Sequence, residues 1–145
     1  MVIVPVGGGS GAAGACIVAK AIDPSIRVVA VQSGAAPSAY RSWREGRPVL
    51  GESRTYAEGL ATRVPFELPQ RILREHLDDF ILVSDDQIRA AQRTMIEATR
   101  NLVEASGAAP LAAALARRDE LRGRRVALIA SGGNVSREQL VDVLA

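Results

Sequence analysis

The stretch from Val2 to Gly14, Val-Ile-Val-Pro-Val-Gly-Gly-Gly-Ser-Gly-Ala-Ala-Gly, limits the fold more than any other part of the chain. Residues 2–6 are a short apolar run, four of them valine or isoleucine, that reads as a buried strand. Gly7-Gly8-Gly9 ends it, and the small and apolar residues from Ala12 to Ile22 read as a helix stopped by Asp23-Pro24. Strand, glycine turn and helix start together make an anion site. The glycines let the backbone turn tightly and approach a ligand, and the first-turn N–H groups have no partner within the helix. The helix dipole adds about 0.3–1 kcal/mol for an anion, and ~2 kcal/mol when partly buried. A phosphate suits such a site.

The same residues, Gly9-Ser10-Gly11-Ala12-Ala13-Gly14, also spell G-x-G-x-x-G. In a dinucleotide-binding unit that motif is followed about 20 residues later by an acidic residue that closes the next strand and binds a ribose hydroxyl. The strand arrives on schedule at residues 27–31, but Gln32 follows it, and Gln32 is neutral. An amide can still bond a ribose. Three readings therefore stand at this point: a phosphate loop, an NAD-binding Rossmann-type turn, and a plain tight turn.

Composition removes several other classes. A chain of 145 residues is one domain, long enough to bury about two-thirds of its unfolded surface. Its 18 basic and 16 acidic residues are mixed along the sequence, and it holds one Trp, two Tyr and two Phe. That pattern lacks the concentrated positive charge and stacking platforms of a nucleic-acid binder. The single cysteine, Cys16, forms no internal disulfide and reads as a packed helix residue. With one histidine, His76, and no cysteine cluster, the sequence offers no zinc site. No run approaches the ~20 apolar residues of a membrane span, and no signal peptide opens the chain, so a cytoplasmic protein is expected.

A second strand and glycine turn lie near the other end: residues 126–130, then Ser131-Gly132-Gly133-Asn134. Between the two, a helix is predicted through Tyr40, Trp43 and Arg44, and loop from Val49 to Phe66. A helix is predicted over Leu68–Leu77 and a strand over Phe80–Val83. Ser84-Asp85-Asp86-Gln87 is a capping box, and the helix it opens carries a stripe from Ile88 to Val103, with Gly107 as its stop. A short helix follows over Ala108–Ala116 with Pro110 in its first turn, and Ser136-Arg137-Glu138-Gln139 opens the last helix. Strands that are apolar throughout imply helices on both faces of a parallel sheet, an α/β fold.

Taken together, these residues resemble the fold type II pyridoxal-phosphate enzymes, in the threonine dehydratase and serine racemase group. Pro5-Val6-Gly7-Gly8-Gly9 and Ser131-Gly132-Gly133-Asn134 carry the resemblance. Ser33-Gly-Ala-Ala-Pro37, Glu58-Gly-Leu-Ala61 (usually D-G-L-A), Leu82-Val-Ser-Asp85 and Val103-Glu-Ala-Ser-Gly-Ala-Ala109 extend it. It implies that residues 1–145 are the C-terminal portion of such a catalytic domain, beginning at the phosphate loop. The sheet would then be an incomplete part of the large domain, with an apolar flank that invites a homo-oligomer. The activity implied is β-elimination of a hydroxy amino acid such as threonine or serine. A missing N-terminal portion would act as partner and supply the Schiff-base lysine, so no catalytic residue is expected in this chain. Lys20, the only lysine, matches a solvated helix position.

For pyridoxal 5'-phosphate the resemblance implies a phosphate loop of Gly7, Gly8, Gly9 and Ser10, with Gly11 opening the helix. Ser10 replaces a fourth glycine, and would cost about 1 kcal/mol if that position required φ > 0. Ser131 matches the serine that meets the pyridine nitrogen, Glu104 a carboxylate near the cofactor, and Gly59 a backbone position along its edge. Many relatives hold a divalent cation at positions that are Gln32, Ala36 and Ser38 here. Without carboxylates no metal is expected. A phosphate-binding module without catalysis, and an NAD-binding oxidoreductase domain, remain the alternatives.

Overall fold

The computed structural model describes all 145 residues. Strands β1 (Val2–Pro5), β2 (Val28–Ser33), β3 (Asp79–Val83) and β4 (Ala127–Leu128) form one sheet in the order β3-β2-β1-β4, every pair parallel. Helices α1 (Ser10–Ile22), α2 (Ser38–Glu45), α3 (Glu67–His76), α4 (Asp85–Thr99), α5 (Ala105–Ala116), α6 (Arg118–Leu121) and α7 (Arg137–Leu144) surround it.

Alternation along the strands sorts the core into two layers. Val4, Val6, Val28, Ala30 and Phe80 meet Ala12, Cys16 and Ala19 of α1, Ala39 of α2 and Leu73 of α3. Ile3, Val29, Val31, Ile81 and Val83 meet Ile88 and Ala91 of α4 and the alanines of α5. Both sheet faces are thus covered, as expected from strands with no polar face. Each fully buried valine or isoleucine contributes about 1.5–3 kcal/mol relative to exposure.

Elsewhere the structure departs from expectation. The fourth strand keeps only Ala127–Leu128 of the expected 126–130, because β1 is its one neighbour and pairs through Val2 and Ile3 alone. An apolar groove of about 450 Å³ lies beside it, lined by Leu115, Leu121, Val126 and Leu128 among others. Helix α4 ends at Arg100, which takes φ 61°, so Leu102 and Val103 lie beyond the helix. Gly107 is not its stop. It is buried within α5, which starts at Ala105, and its backbone crosses against the Gly132 carbonyl and the Ser131 N–H. Pro110 accordingly lies inside α5, where it lacks the N–H that would reach the Ser106 carbonyl.

Lys20 is also not the solvated residue expected. Its Nζ donates to Asp78 Oδ2 at 2.8 Å and to the Ile26 carbonyl at 2.9 Å, and its side chain is 21% exposed. Asp78 Oδ2 accepts the Val28 N–H at 2.7 Å as well, so the pair ties the end of α1 to the start of β2. Burial disfavours the Asp78 carboxylate, but the Lys20 and Val28 hydrogen bonds outweigh it and hold the carboxyl below its ordinary range. Cys16 is fully buried, and that burial, helped by the Asp78 charge, pushes its thiol up to about 11.

The irregular segment 49–66 holds one 3-10 turn, Glu58–Leu60, and is fastened by Asp85 at the start of α4. Asp85 Oδ1 accepts from Ser33 Oγ at 2.6 Å and Thr55 Oγ1 at 2.7 Å, and Oδ2 accepts the Tyr56 N–H at 3.2 Å. A carboxylate at a helix N-terminus is further favoured by the dipole.

Candidate functional site

The chain leaves β1 towards β2 and β3 on one side, while β4 lies on the other side of β1. The crevice above β1 and β4 is therefore a topological switch point, where parallel sheets bind ligands at the strands' C-terminal ends. Since the two strands are adjacent and parallel, the turns that follow them, Gly7–Gly9 and Ser131–Asn134, rise at the same edge of the sheet.

At the first turn, Gly9 is the residue before α1 and has φ 92°, a left-handed conformation suited to glycine. No backbone N–H from Gly7 to Ala12 donates to a protein acceptor; the first bond of the helix runs from the Ala13 N–H to the Gly9 carbonyl at 2.9 Å. Ser10 begins α1 with negative φ, so the strain considered for it is not incurred. Its side chain is exposed, as is Gly11.

Gly59 and Glu104 connect the first turn to the second. Gly59 lies between Gly7 on one side and the Ser106 and Glu104 side chains on the other. The Glu104 N–H donates to the Gly132 carbonyl at 3.1 Å, and Glu104 Oε2 accepts the Asn134 N–H at 3.0 Å. Glu104 thus grips the second turn through both backbone and side chain, with its carboxylate over Gly132. A cavity of about 230 Å³ opens here, lined by Tyr56, Glu58, Gly59, Glu104, Ser106 and Asn134. Glu58 is exposed at its rim, with Gln139 Nε2 at 3.4 Å from its Oε1. Ser131 is exposed beside it, its N–H against Gly107. Of the positions expected to touch a cofactor, Gly59 and Glu104 line this cavity and Gly7 meets Gly59 beside it, whereas Gly8 and Ser10 line a separate hollow of about 480 Å³ with Phe66, Glu67, Leu68 and Pro69.

Ser106 and Tyr56 were among the lining residues not singled out in the sequence. Ser106 falls in the Val103–Ala109 stretch and is buried against Gly59. The Tyr56 ring carries the Arg89 guanidinium 4.5 Å from its centroid, and burial pushes its phenol up to about 12 against the pull of Arg89.

A family model described as pyridoxal-phosphate dependent enzyme matches residues 1–132. The chain belongs to that family. Among curated relatives, it is 38% identical to an L-threonine ammonia-lyase of Geobacter sulfurreducens over 136 residues, 92% of this chain and 34% of that enzyme. It is 36% identical to a serine racemase of Dictyostelium discoideum over 148 residues, 99% of this chain and 45% of that one. Among solved structures, the processed form of threonine deaminase isoform 2 from Solanum lycopersicum superposes with a TM-score of 0.92 at 33% identity. That match covers 98% of this chain and 42% of the other. The chain therefore spans between a third and a half of the length of these relatives.

Within this family frame, the positions that would hold a divalent cation carry other contacts. Gln32 is fully buried: its Oε1 accepts the Tyr40 N–H at 3.1 Å, and its Nε2 donates to Thr62 Oγ1 at 3.4 Å. Ser38 Oγ donates to the Thr62 carbonyl at 2.6 Å, and Ala36 is buried. No three His, Cys, Asp or Glu side chains gather anywhere into a metal-binding group. The Gln32 contacts also weaken the dinucleotide reading, since an amide engaged at both ends inside the core is not available to a ribose. No helix is long and apolar enough to cross a membrane.

Proposed function

We propose that this chain forms the cofactor-phosphate side of a threonine or serine dehydratase-like ammonia-lyase, which eliminates water from a hydroxy amino acid to give a 2-oxo acid and ammonia. The observation that carries the reading is the row of unpartnered N–H groups from Gly7 to Ala12 at the mouth of the switch-point crevice. Such a row fits phosphate oxygens, which only accept hydrogen bonds, and the dipole of α1 favours their charge.

In this reading Gly7, Gly8, Gly9, Ser10 and Gly11 hold the phosphate of pyridoxal 5'-phosphate. Gly59 borders the cofactor's edge, and Ser131 offers a neutral hydroxyl to the ring nitrogen. A hydroxyl does not force that nitrogen to protonate as a carboxylate would, which suits an elimination better than chemistry needing a long-lived carbanion. Glu104 holds the Ser131–Asn134 turn in place through its two hydrogen bonds. Once bound, the cofactor supplies an electron sink for the α-carbon. The lysine that would carry it, and the groups that grip the substrate carboxylate, belong to the rest of the enzyme. Lys20 is committed to Asp78 on the far side of α1 from these turns. A homo-oligomer in the cytoplasm completes the proposal.

The test is a fluorescence titration of the chain with pyridoxal 5'-phosphate, pyridoxal and NADH. Saturable binding of pyridoxal 5'-phosphate that inorganic phosphate competes away, with no binding of pyridoxal, is expected. Tighter binding of NADH would overturn the reading in favour of a dinucleotide domain.

A further inference from the structure

Thr62 joins the phosphate loop to the buried end of β2. Its Oγ1 lies 3.2 Å from the Gly7 carbonyl oxygen and 3.4 Å from Gln32 Nε2, while its own carbonyl accepts from Ser38 Oγ at 2.6 Å. Gln32 in turn receives the Tyr40 N–H on Oε1 at 3.1 Å. Three parts of the chain distant in sequence meet here: the loop after β1, the end of β2 with the nearby first turn of α2, and the segment after the 3-10 turn.

The direction of this chain of hydrogen bonds is fixed at one end. A backbone N–H only donates, so Tyr40 requires the carboxamide oxygen of Gln32 on its side, which turns the NH₂ group towards Thr62. The Thr62 hydroxyl accepts there, leaving its single proton for the Gly7 carbonyl. Gln32 and Ser38 are fully buried and Thr62, Tyr40 and Gly7 half-buried, so at the Gln32 end of the chain of bonds a misdirected hydrogen bond is costly.

We propose that Gln32 and Thr62 are positioning residues for the phosphate loop: the amide orients the Thr62 hydroxyl, and the hydroxyl holds the Gly7–Gly8 peptide in place. The proposal rests on the phosphate reading for its ligand, but not for its geometry. A carboxylate at position 32 only accepts. It would compete for the one Thr62 proton and release the Gly7 carbonyl, although its size and shape match those of the amide.

The experiment compares the chain with its Gln32→Glu, Thr62→Val and Thr62→Ser variants and the Gln32→Glu/Thr62→Val pair. Without ligand, the Gly7 carbonyl ¹³C and Gly8 amide ¹⁵N resonances report whether that carbonyl accepts a hydrogen bond. Gln32→Glu and Thr62→Val are expected to shift both resonances the same way, and Thr62→Ser to leave them near their original positions. Inorganic phosphate and pyridoxal 5'-phosphate should each bind about five- to tenfold more weakly to either shifted variant. The pair should be no weaker than the worse single variant, because both break one chain of bonds. Unmoved resonances in Gln32→Glu and Thr62→Val would overturn the proposal, as would affinity losses that simply add. Should Gln32→Glu not fold, Thr62→Val against Thr62→Ser decides alone. Shifted resonances in a protein that binds neither phosphate nor pyridoxal 5'-phosphate would uphold the positioning role and remove the ligand assigned under the proposed function.

Discussion

Gly7 lies so close to Gly59 that a Cβ on Gly7 would overlap the Gly59 carbonyl oxygen and sit 3.1 Å from its carbonyl carbon. The first glycine turn and the Glu58–Leu60 segment are thereby held backbone to backbone, and only a residue without a side chain allows it.

Gly7→Ala should therefore force the two segments apart. Overpacking of this kind costs about 1–3 kcal/mol, and phosphate affinity should fall with it. Gly14→Ala is the control. Gly14 lies on the exposed side of α1 with nothing within 4 Å of an added Cβ, so the helix should gain about 1 kcal/mol. Urea midpoints read both changes, and equal effects in the same direction would contradict the packing described.

Asp78 sets an acid limit. Its carboxyl is held below the ordinary range in the folded chain, so its contribution is present above the unfolded value of about 3.9 and is lost as pH falls through the lower, folded value. Asp78→Asn should be less stable than the parent at pH 7, and the gap should close towards pH 2. Denaturant midpoints at several pH values test this. A gap that stays constant would mean that the Lys20 contact is not ionic in effect.

Asp85 fastens the 49–66 segment by accepting from Ser33, Thr55 and Tyr56. Hydrogen bonds to a charged group are worth about 1.5–3 kcal/mol each when one partner is removed. Asp85→Ala should free the segment and speed limited proteolysis between residues 49 and 66 before the core unfolds. Cleavage at the parent rate would show that other contacts hold it.

Local signals carried much of the structure. Both capping boxes form with both of their hydrogen bonds, at Ser84 with Gln87 and at Ser136 with Gln139, because every participating group lies within three residues. The all-apolar strands foretold a sheet covered on both faces. What stayed hidden depended on distant partners. Lys20 resembles a surface residue until Asp78, 58 residues on, is brought beside it. Gly107 reads as a helix stop, and only the crossing of α5 over the Gly132 turn explains a glycine there. The two glycine turns were legible in the sequence, and the pairing of β1 with β4 brings them to one edge of the sheet, whereas Thr62 was not legible, since its contacts come from meeting Gly7 and Gln32 at once.

Magnesium and calcium should leave the melting temperature unchanged. Hard cations require carboxylate oxygens, and Gln32 and Ser38 offer an amide and a hydroxyl already used inside the core. An ion bound at a hundred times its dissociation constant would add about 2.7 kcal/mol of stability, readily visible by calorimetry. A saturable rise lost in Gln32→Met would place an ion at this site.

The chain by itself should release no 2-oxo acid from threonine or serine, and should do so when mixed with a separately made N-terminal portion of such an enzyme. Elimination requires a base for the α-proton and a lysine that exchanges the cofactor onto the substrate. Lys20 is the only lysine present, and its Nζ is bound to Asp78 and to the carbonyls of Ile26 and Pro24. It stands ten residues after the start of α1, about 15 Å along the axis at 1.5 Å per residue, while the unpartnered N–H groups are at that start. Borohydride reduction with pyridoxal 5'-phosphate should accordingly label Lys20 only slowly, and Lys20→Ala should lower stability without changing phosphate affinity. Oxo-acid release is followed by a coupled dehydrogenase assay, first with the chain alone and then with the complement added. Turnover by the chain alone that disappears in Lys20→Ala would overturn both this prediction and the division of labour behind it.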